Sequence, residues 1–344
     1  MSEIIPTGNR QVAKVQEIKE AFDQAASSNV FIEYASRKAL NTQKRHLKEL
    51  DNFSAFLQSF GIDADLRRPE EWTHVTFGII EGYQRHMLQK GYSINTINQT
   101  IYILKAYARL AMKAGFIDYL QAAKIEAIAG FKPIEAKHVD EQRPITRIGR
   151  KKAENTRLTA AAEARLKKQP NTLQGLRDRL LMTILLDHGP RISEVAALTG
   201  SNFNMDEGTI TFYRQKTNQI DTHYMTDDTR KAAIDYFKRV PPQPGKSIWV
   251  GTRKGYPDKQ WGGFGYEAMK QRVRAIGEAA GIERLSPHDC RHYFATKAKK
   301  NGLDAIDIMR AGGWRSLVMV NRYVDQEAIS FDGRTETAVK GQAR

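Results

Sequence analysis

Four short segments of this sequence carry residue types suited to gripping an anion and moving a proton beside it. In GPRISEV, residues 189–195, Pro190 suits the opening turn of a helix, which sets Arg191 near a helix N-terminus. Backbone amides and the helix dipole favour an anion there, and a guanidinium fork adds bidentate phosphate binding. Glu194, one turn on, is placed to orient that guanidinium. In SPHDCRHYFATKAKKNG, Ser286 reads as the N-cap and Pro287 as the first helical residue. His288 and Arg291 then share a helix face, three residues apart. One exchanges a proton near neutral pH and the other is a permanent cation with phosphate-matching geometry.

The third segment is AGGWRSLVMVNRYV. Gly312 and Gly313 end one helix, Trp314 follows, and Ser316 is placed to cap the next helix, which carries Tyr323. A phenol has a pKa of about 10 and becomes a nucleophile only where cations stabilise its phenolate. Beside Leu317, Val318 and Val320, Tyr323 taken alone reads first as a core residue. The fourth is Lys216, in a polar stretch between two strands. Taken singly, each cluster also fits an ordinary surface or core position.

The elements that must position these groups are legible from periodicity. Leu176, Leu180, Leu181, Ile184 and Leu185 form a buried helical face ahead of Arg191. Ile210 and Phe212 alternate with Thr209, Thr211 and Tyr213, the period of a half-buried strand. Residues 215–221 make the hairpin loop that carries Lys216, and residues 222–226 return as its partner; residues 247–250 offer a third short strand. After Gly265 the pattern is helical again. Nearer the N-terminus, Leu47, Leu50, Phe53, Phe56, Leu57 and Phe60 recur at helical spacing up to Gly61. Val75, Ile79, Ile80, Tyr83 and Met87 mark a second helix, and Ile97, Ile101, Leu104 and Ala108 a third that begins near Ser93 or Asn95.

These patterns divide the chain into an arm at residues 1–27, helical or flexible, and an all-helical bundle at 28–130. A basic linker follows at 131–153, then a mainly helical domain with a small antiparallel sheet at 154–344. Pro133 and Pro144 are expected to keep the linker extended. Its cations include Arg147, Arg150, Lys151 and Lys152. On the bundle, Lys44, Arg45 and Lys48 in one helix and Lys105, Arg109 and Lys113 in another are candidate phosphate contacts. Gln43, Asn98, Gln99 and Thr100 beside them add hydrogen-bonding capacity for bases and phosphates.

Composition fits a polyanion as partner. The 344 residues carry a formal net charge of +15, with 41% hydrophobic and 27% charged residues. That describes a folded protein that attracts nucleic acid. The longest apolar run, residues 180–186, is too short to span a bilayer. One cysteine, Cys290, excludes an intramolecular disulfide framework and a cysteine-rich zinc site. With no apolar leader at the N-terminus, the expected setting is the cytoplasm or its nucleoid, with no membrane partner.

The order Arg191, Lys216, His288-x-x-Arg291, Trp314, Tyr323 resembles that of the tyrosine recombinase, or phage integrase, family, and the resemblance covers nearly the whole chain. It implies a core-binding helical domain of the SAM-like kind followed by the catalytic domain. It implies attack by Tyr323 on a DNA phosphate to form a 3′-phosphotyrosyl link, with strand exchange through a Holliday junction. Arg191 and Arg291 would stabilise the phosphate, with Trp314 as an extra donor. His288 would accept a proton or contact the phosphate, and Lys216 would protonate the leaving 5′-oxygen. Glu194 and Asp289 would orient these groups from behind. Many members have His at the position of Trp314; an indole donates one hydrogen bond but accepts no proton. Neither cofactor nor metal is implied. The expected partners are double-stranded DNA with paired sites and three further copies of the chain, the free protein being a monomer. The apolar Ile329 and Phe331 beyond Tyr323 are expected to dock on a neighbouring copy. A type IB-like topoisomerase, a telomere resolvase and a DNA-binding protein without catalysis remain the alternatives.

Overall fold

The computed structural model describes residues 7–146, 148, 155–253 and 255–324, with the backbone alone at 7–13, 28 and 322–324. The chain divides into two compact units, residues 1–150 and 151–344.

The first unit is helical: α1 (Thr7–Ser36), α2 (Leu40–Gln58), α3 (Phe77–Gln89), α4 (Ile94–Lys113), α5 (Tyr119–Ala127) and α6 (Pro133–Glu141), with a short 3₁₀ turn at Pro69–His74. Leu50, Phe53, Leu57, Trp72, Ile80, Met87, Ile97 and Leu104 fill its core. Thr76 and Ser93 cap α3 and α4 by accepting from backbone amides three residues on. Of the arm expected at residues 1–27, residues 7–27 belong to α1, which runs on past residue 28 and buries Val30 and Phe31 in the bundle. Leu47 and Phe60, expected on the buried face, are exposed. Much of the expected linker is also helical. Pro133 is the first residue of α6, where its fixed φ suits the turn and no amide is lost, and Glu135 accepts from the amide of Lys132 at 2.8 Å.

The second unit is built around α8 (Leu173–His188), preceded by α7 (Ala160–Lys167). Leu180, Leu181, Met182, Ile184, Leu185 and Leu186 are all fully buried, so α8 is enclosed on every side. Thr172 caps its start, and Gly189, in the left-handed conformation at φ 59°, ends it. A Cβ at Gly189 would stand 2.3 Å from the Phe294 ring, so glycine is required both for the turn and for the packing. Next come α9 (Ile192–Ala196), β1 (Phe203–Asn204), β2 (Thr209–Arg214), β3 (Gln219–Tyr224) and α10 (Asp227–Phe237), then β4 (Val250–Arg253), β5 (Tyr256–Gly263) and α11 (Tyr266–Ala279). The last described elements are α12 (Pro287–Lys300), α13 (Ala305–Gly312) and α14 (Leu317–Val324).

Strands β1, β2 and β3 form an antiparallel sheet in that order, and β4 and β5 pair separately. The hairpin loop is shorter than periodicity suggests. β3 already pairs at Gln219, opposite Arg214, because Asn218 takes a left-handed conformation and closes the turn. The third strand begins at Val250 rather than at residue 247; Ser247 makes only an isolated bridge to Thr199.

One buried histidine, His188, and one half-buried, His223, give this unit a pH-dependent stability. Burial holds His188 down to about 3, with His223 and Lys167 adding to the effect. Burial, then the Arg214 charge, holds His223 down to about 4. Both stay neutral in the fold while the unfolded chain takes up protons below about pH 6.5. Stability is therefore full above that pH and falls as the pH drops toward 4, by on the order of 2 kcal/mol for each histidine at pH 5. Glu163, held near 2, adds its loss only below the ordinary carboxylate range. Urea midpoints should fall between pH 7 and pH 5, less steeply for His188→Gln; a midpoint constant over that range would refute the assignment.

Candidate active site

The cations of the catalytic segments converge where the turns ending two helices meet. Arg191 is the N-cap of α9, at the helix N-terminus as expected, while Pro190 precedes the helix rather than opening it. Its Nη1 donates to Glu194 Oε1 at 2.8 Å, its backbone amide to Glu194 Oε2 at 2.8 Å, and its Nη2 to the Gly313 carbonyl at 3.2 Å. Arg291 lies on the second turn of α12 with only 4% of its surface exposed. Its Nη1 donates to the Gly189 carbonyl at 2.5 Å and its Nη2 to the Gly312 carbonyl at 2.6 Å. The guanidinium carbon stands 4.0 Å from the centre of the Trp314 ring. An arginine stacked on an aromatic face and bonded at both Nη atoms has one orientation. Both glycine turns thus end a helix and hold an arginine at the same time.

These groups line a cavity of about 500 Å³ formed by Arg191, Lys216, Thr217, His288, Arg291, Trp314, Arg315 and Met319. Lys216 is exposed at the hairpin tip, and His288 lies on the first turn of α12, with its ring 6.1 Å from that of His292. Trp314 packs with Phe294, Ala295, Ile308 and Val320 in a small apolar cluster that seats α14 against α12 and α13. Tyr323 falls in α14, and its side chain lies outside the described residues. Positions four apart share a helix face, so position 323 follows Met319, which lines the cavity, by one turn.

Two further sets of contacts support these residues. Asp289 accepts from the Ser286 amide and hydroxyl, each at 2.7 Å, and from the Thr156 amide at 2.9 Å. It thereby fixes the start of α12. Further along that helix, Glu163 accepts from Tyr293 Oη and Lys297 Nζ, each at 2.7 Å. Burial alone would raise the Glu163 carboxyl, but bonds from Lys167, Lys297 and Tyr293 outweigh it and hold it near 2.

Three participants escaped the sequence reading. Arg214, fully buried, bonds Glu194 at 2.9 Å. Asp221 bonds Arg214, and Arg315 bonds the Lys216 carbonyl oxygen. A signal for Arg214 was available: it continues the inward set Ile210, Phe212, where a charge requires a buried partner.

The bundle cations divide. Lys44, Arg45, Lys48 and Lys113 are exposed. Lys105 donates to the Glu126 carbonyl at 2.6 Å, and Arg109 pairs with the Glu126 carboxylate at 2.6 Å. Several polar residues read as base-facing are used internally. Asn98 exchanges two hydrogen bonds with the Phe131 backbone, buried Thr100 donates to Glu49, and Gln43 donates to the Lys38 carbonyl. Each satisfies a group the fold would otherwise leave unpaired. Arg147, Arg150, Lys151 and Lys152 lie outside the described residues, as do Ile329 and Phe331.

The sequence matches the phage integrase family over residues 154–328 and the phage integrase SAM-like domain over residues 27–126. The chain belongs to the phage integrase family. Among its relatives are the tyrosine recombinase XerD of Chlorobaculum tepidum, 23% identical over 286 residues, covering 82% of this chain and 85% of that one. The tyrosine recombinase XerA of Pyrococcus furiosus is 25% identical over 249 residues, covering 72% and 76%. In fold, the chain is similar to the lambda integrase in a tetramer bound to a Holliday junction, with a TM-score of 0.61 at 15% identity, covering 88% and 77%. The mainly helical architecture with small antiparallel sheets is that of the phage integrase family. No described helix is long and apolar enough to cross a membrane, and the described residues contain no His, Cys, Asp and Glu group arranged to hold a metal ion.

Proposed function

We propose that this chain is a site-specific DNA recombinase that breaks and rejoins strands through Tyr323. The observation that carries the reading is the single cavity shared by Arg191, Lys216, His288 and Arg291, one helical turn from position 323. In the cleavage step the Tyr323 oxygen bonds to phosphorus and the bond from phosphorus to the 5′-oxygen breaks. His288 takes the phenolic proton and Lys216 supplies one to the leaving oxygen. Arg191 and Arg291 stabilise the charge on the non-bridging oxygens. Trp314 backs Arg291 and is offered as a further donor. The 3′-phosphotyrosyl ester keeps the bond energy, so a 5′-hydroxyl from another strand reverses the step without ATP. Lys44, Arg45, Lys48 and Lys113, with the basic stretch at 147–152, track the DNA backbone. The free monomer assembles into a tetramer on two paired sites, exchanging strands through a Holliday junction.

The test is covalent capture. The full chain is incubated with a randomised pool of nicked duplexes in excess chelator, and DNA attached to denatured protein is recovered and sequenced. A single recovered motif, linked through a 3′-phosphate, is the expected result. Absence of any adduct would leave a DNA-binding protein without catalysis; cleavage lost in chelator and restored by magnesium would indicate a metal-dependent nuclease. Sedimentation of the chain alone and with two copies of the recovered duplex reads the assembly.

A further inference from the structure

The hairpin that carries Lys216 is fastened at both ends to one turn, residues 311–315. At its root, Arg214 has no solvent exposure. Its Nη2 donates to the Ala311 carbonyl at 2.7 Å, its Nη1 to Glu194 Oε2 at 2.9 Å, and its Nε to Asp221. Gly313, at φ 60°, makes room for this guanidinium, since a Cβ there would stand 2.4 Å from Arg214 Cδ and Nε. At the hairpin tip, Arg315 donates through Nη2 to the Lys216 carbonyl oxygen. The same turn accepts from Arg191 at Gly313 and from Arg291 at Gly312, and it leads directly into α14. Glu194 is shared between Arg191 and Arg214. A flexible lysine on an exposed two-strand loop would otherwise sample many positions, and a proton donor displaced by an ångström loses much of its effect.

We propose that Arg214 and Arg315 are positioning residues: they fix the Lys216 hairpin against the 311–315 turn, so that the proton donor is set relative to the arginine clamp and to the helix of Tyr323. The inference rests on the proposed role of Lys216 as proton donor. Arg214 acts from within the fold through Glu194, Asp221 and Ala311. Arg315 is exposed, so its replacement leaves the core untouched.

The experiment is single-turnover cleavage by the full chain of a nicked duplex of the captured sequence. The scissile phosphate is prepared with either a 5′-bridging oxygen or a 5′-bridging sulfur. A thiolate leaves without protonation, so the sulfur substrate is insensitive to the proton donor. Lys216→Ala should be slowed about 10²-fold or more on the oxygen substrate and be nearly normal on the sulfur one. Arg315→Ala should show the same pattern at about 10- to 10²-fold. Arg214→Lys and Asp221→Asn test the root of the hairpin by the same ratio, with circular dichroism confirming the fold. Equal slowing of Arg315→Ala on both substrates would mean that Arg315 contacts the phosphate or supports the fold generally, and the inference fails. If Lys216→Ala itself is slowed equally on both, the proton-donor reading fails and takes this inference with it. Rescue of Lys216→Ala without rescue of Arg315→Ala sinks the inference alone.

Discussion

Tyr323→Phe protein is expected to bind the captured duplex with wild-type affinity and to form no covalent adduct. The substitution removes one hydroxyl and leaves a ring of the same shape, so whatever packing position 323 provides is retained. The described tyrosine nearest in sequence, Tyr293, is a poor substitute. Its hydroxyl donates to Glu163 at 2.7 Å, and burial together with that carboxylate pushes the phenol well above its ordinary pKa. A phenol that is harder to ionise and already bonded elsewhere does not attack a phosphate. The measurement is a suicide duplex, in which the fragment beyond the scissile phosphate diffuses away and traps the adduct for a denaturing gel. Any adduct above background from the Phe variant would assign the nucleophile elsewhere.

Much of the architecture around this chemistry was legible because it obeys local rules. The start of α12 is written in Ser286 and Pro287, since a helix cap depends on a few adjacent residues. Strand β2 is visible because one face is buried and the other is not. Strand β5 was not foreseen because all its residues are exposed, so nothing alternates. Helix α6 was misread because proline signals both an extended chain and a helix start; Glu135 three residues beyond Lys132 was the distinguishing sign. Spacing within α4 suggests that Lys105 and Arg109 are available, yet Glu126, far along the chain, engages both. The gathering of Arg191, Lys216, His288 and Arg291 in one cavity is a long-range fact of the same kind. Only their order, as a resemblance, stood in for it.

The clamp provides the second large effect. Arg191→Ala and Arg291→Ala should each slow cleavage by about 10²–10³-fold, the loss typical of one preorganised donor at a developing oxyanion, with much smaller changes in DNA affinity. Arg291 should lie at the upper end. It is almost entirely out of solvent and stacked on Trp314, so its charge acts where water screens least, whereas the Arg191 side chain remains 22% exposed. Removing Arg291 also releases the carbonyls of Gly189 and Gly312, so part of its effect is structural. Arg291→Lys separates the two contributions. A lysine keeps the charge but has a single ammonium in place of the planar fork, and it cannot bond both glycine turns while presenting a donor to the phosphate. If stabilisation of the transition state dominates, Arg291→Lys binds the duplex normally and still cleaves far more slowly than wild type. Parallel losses in affinity and cleavage rate for Arg191→Ala and Arg291→Lys would show instead that the arginines merely hold the DNA backbone. Single-turnover cleavage alongside filter binding at one fixed salt concentration decides between these outcomes, because phosphate contacts weaken steeply with ionic strength.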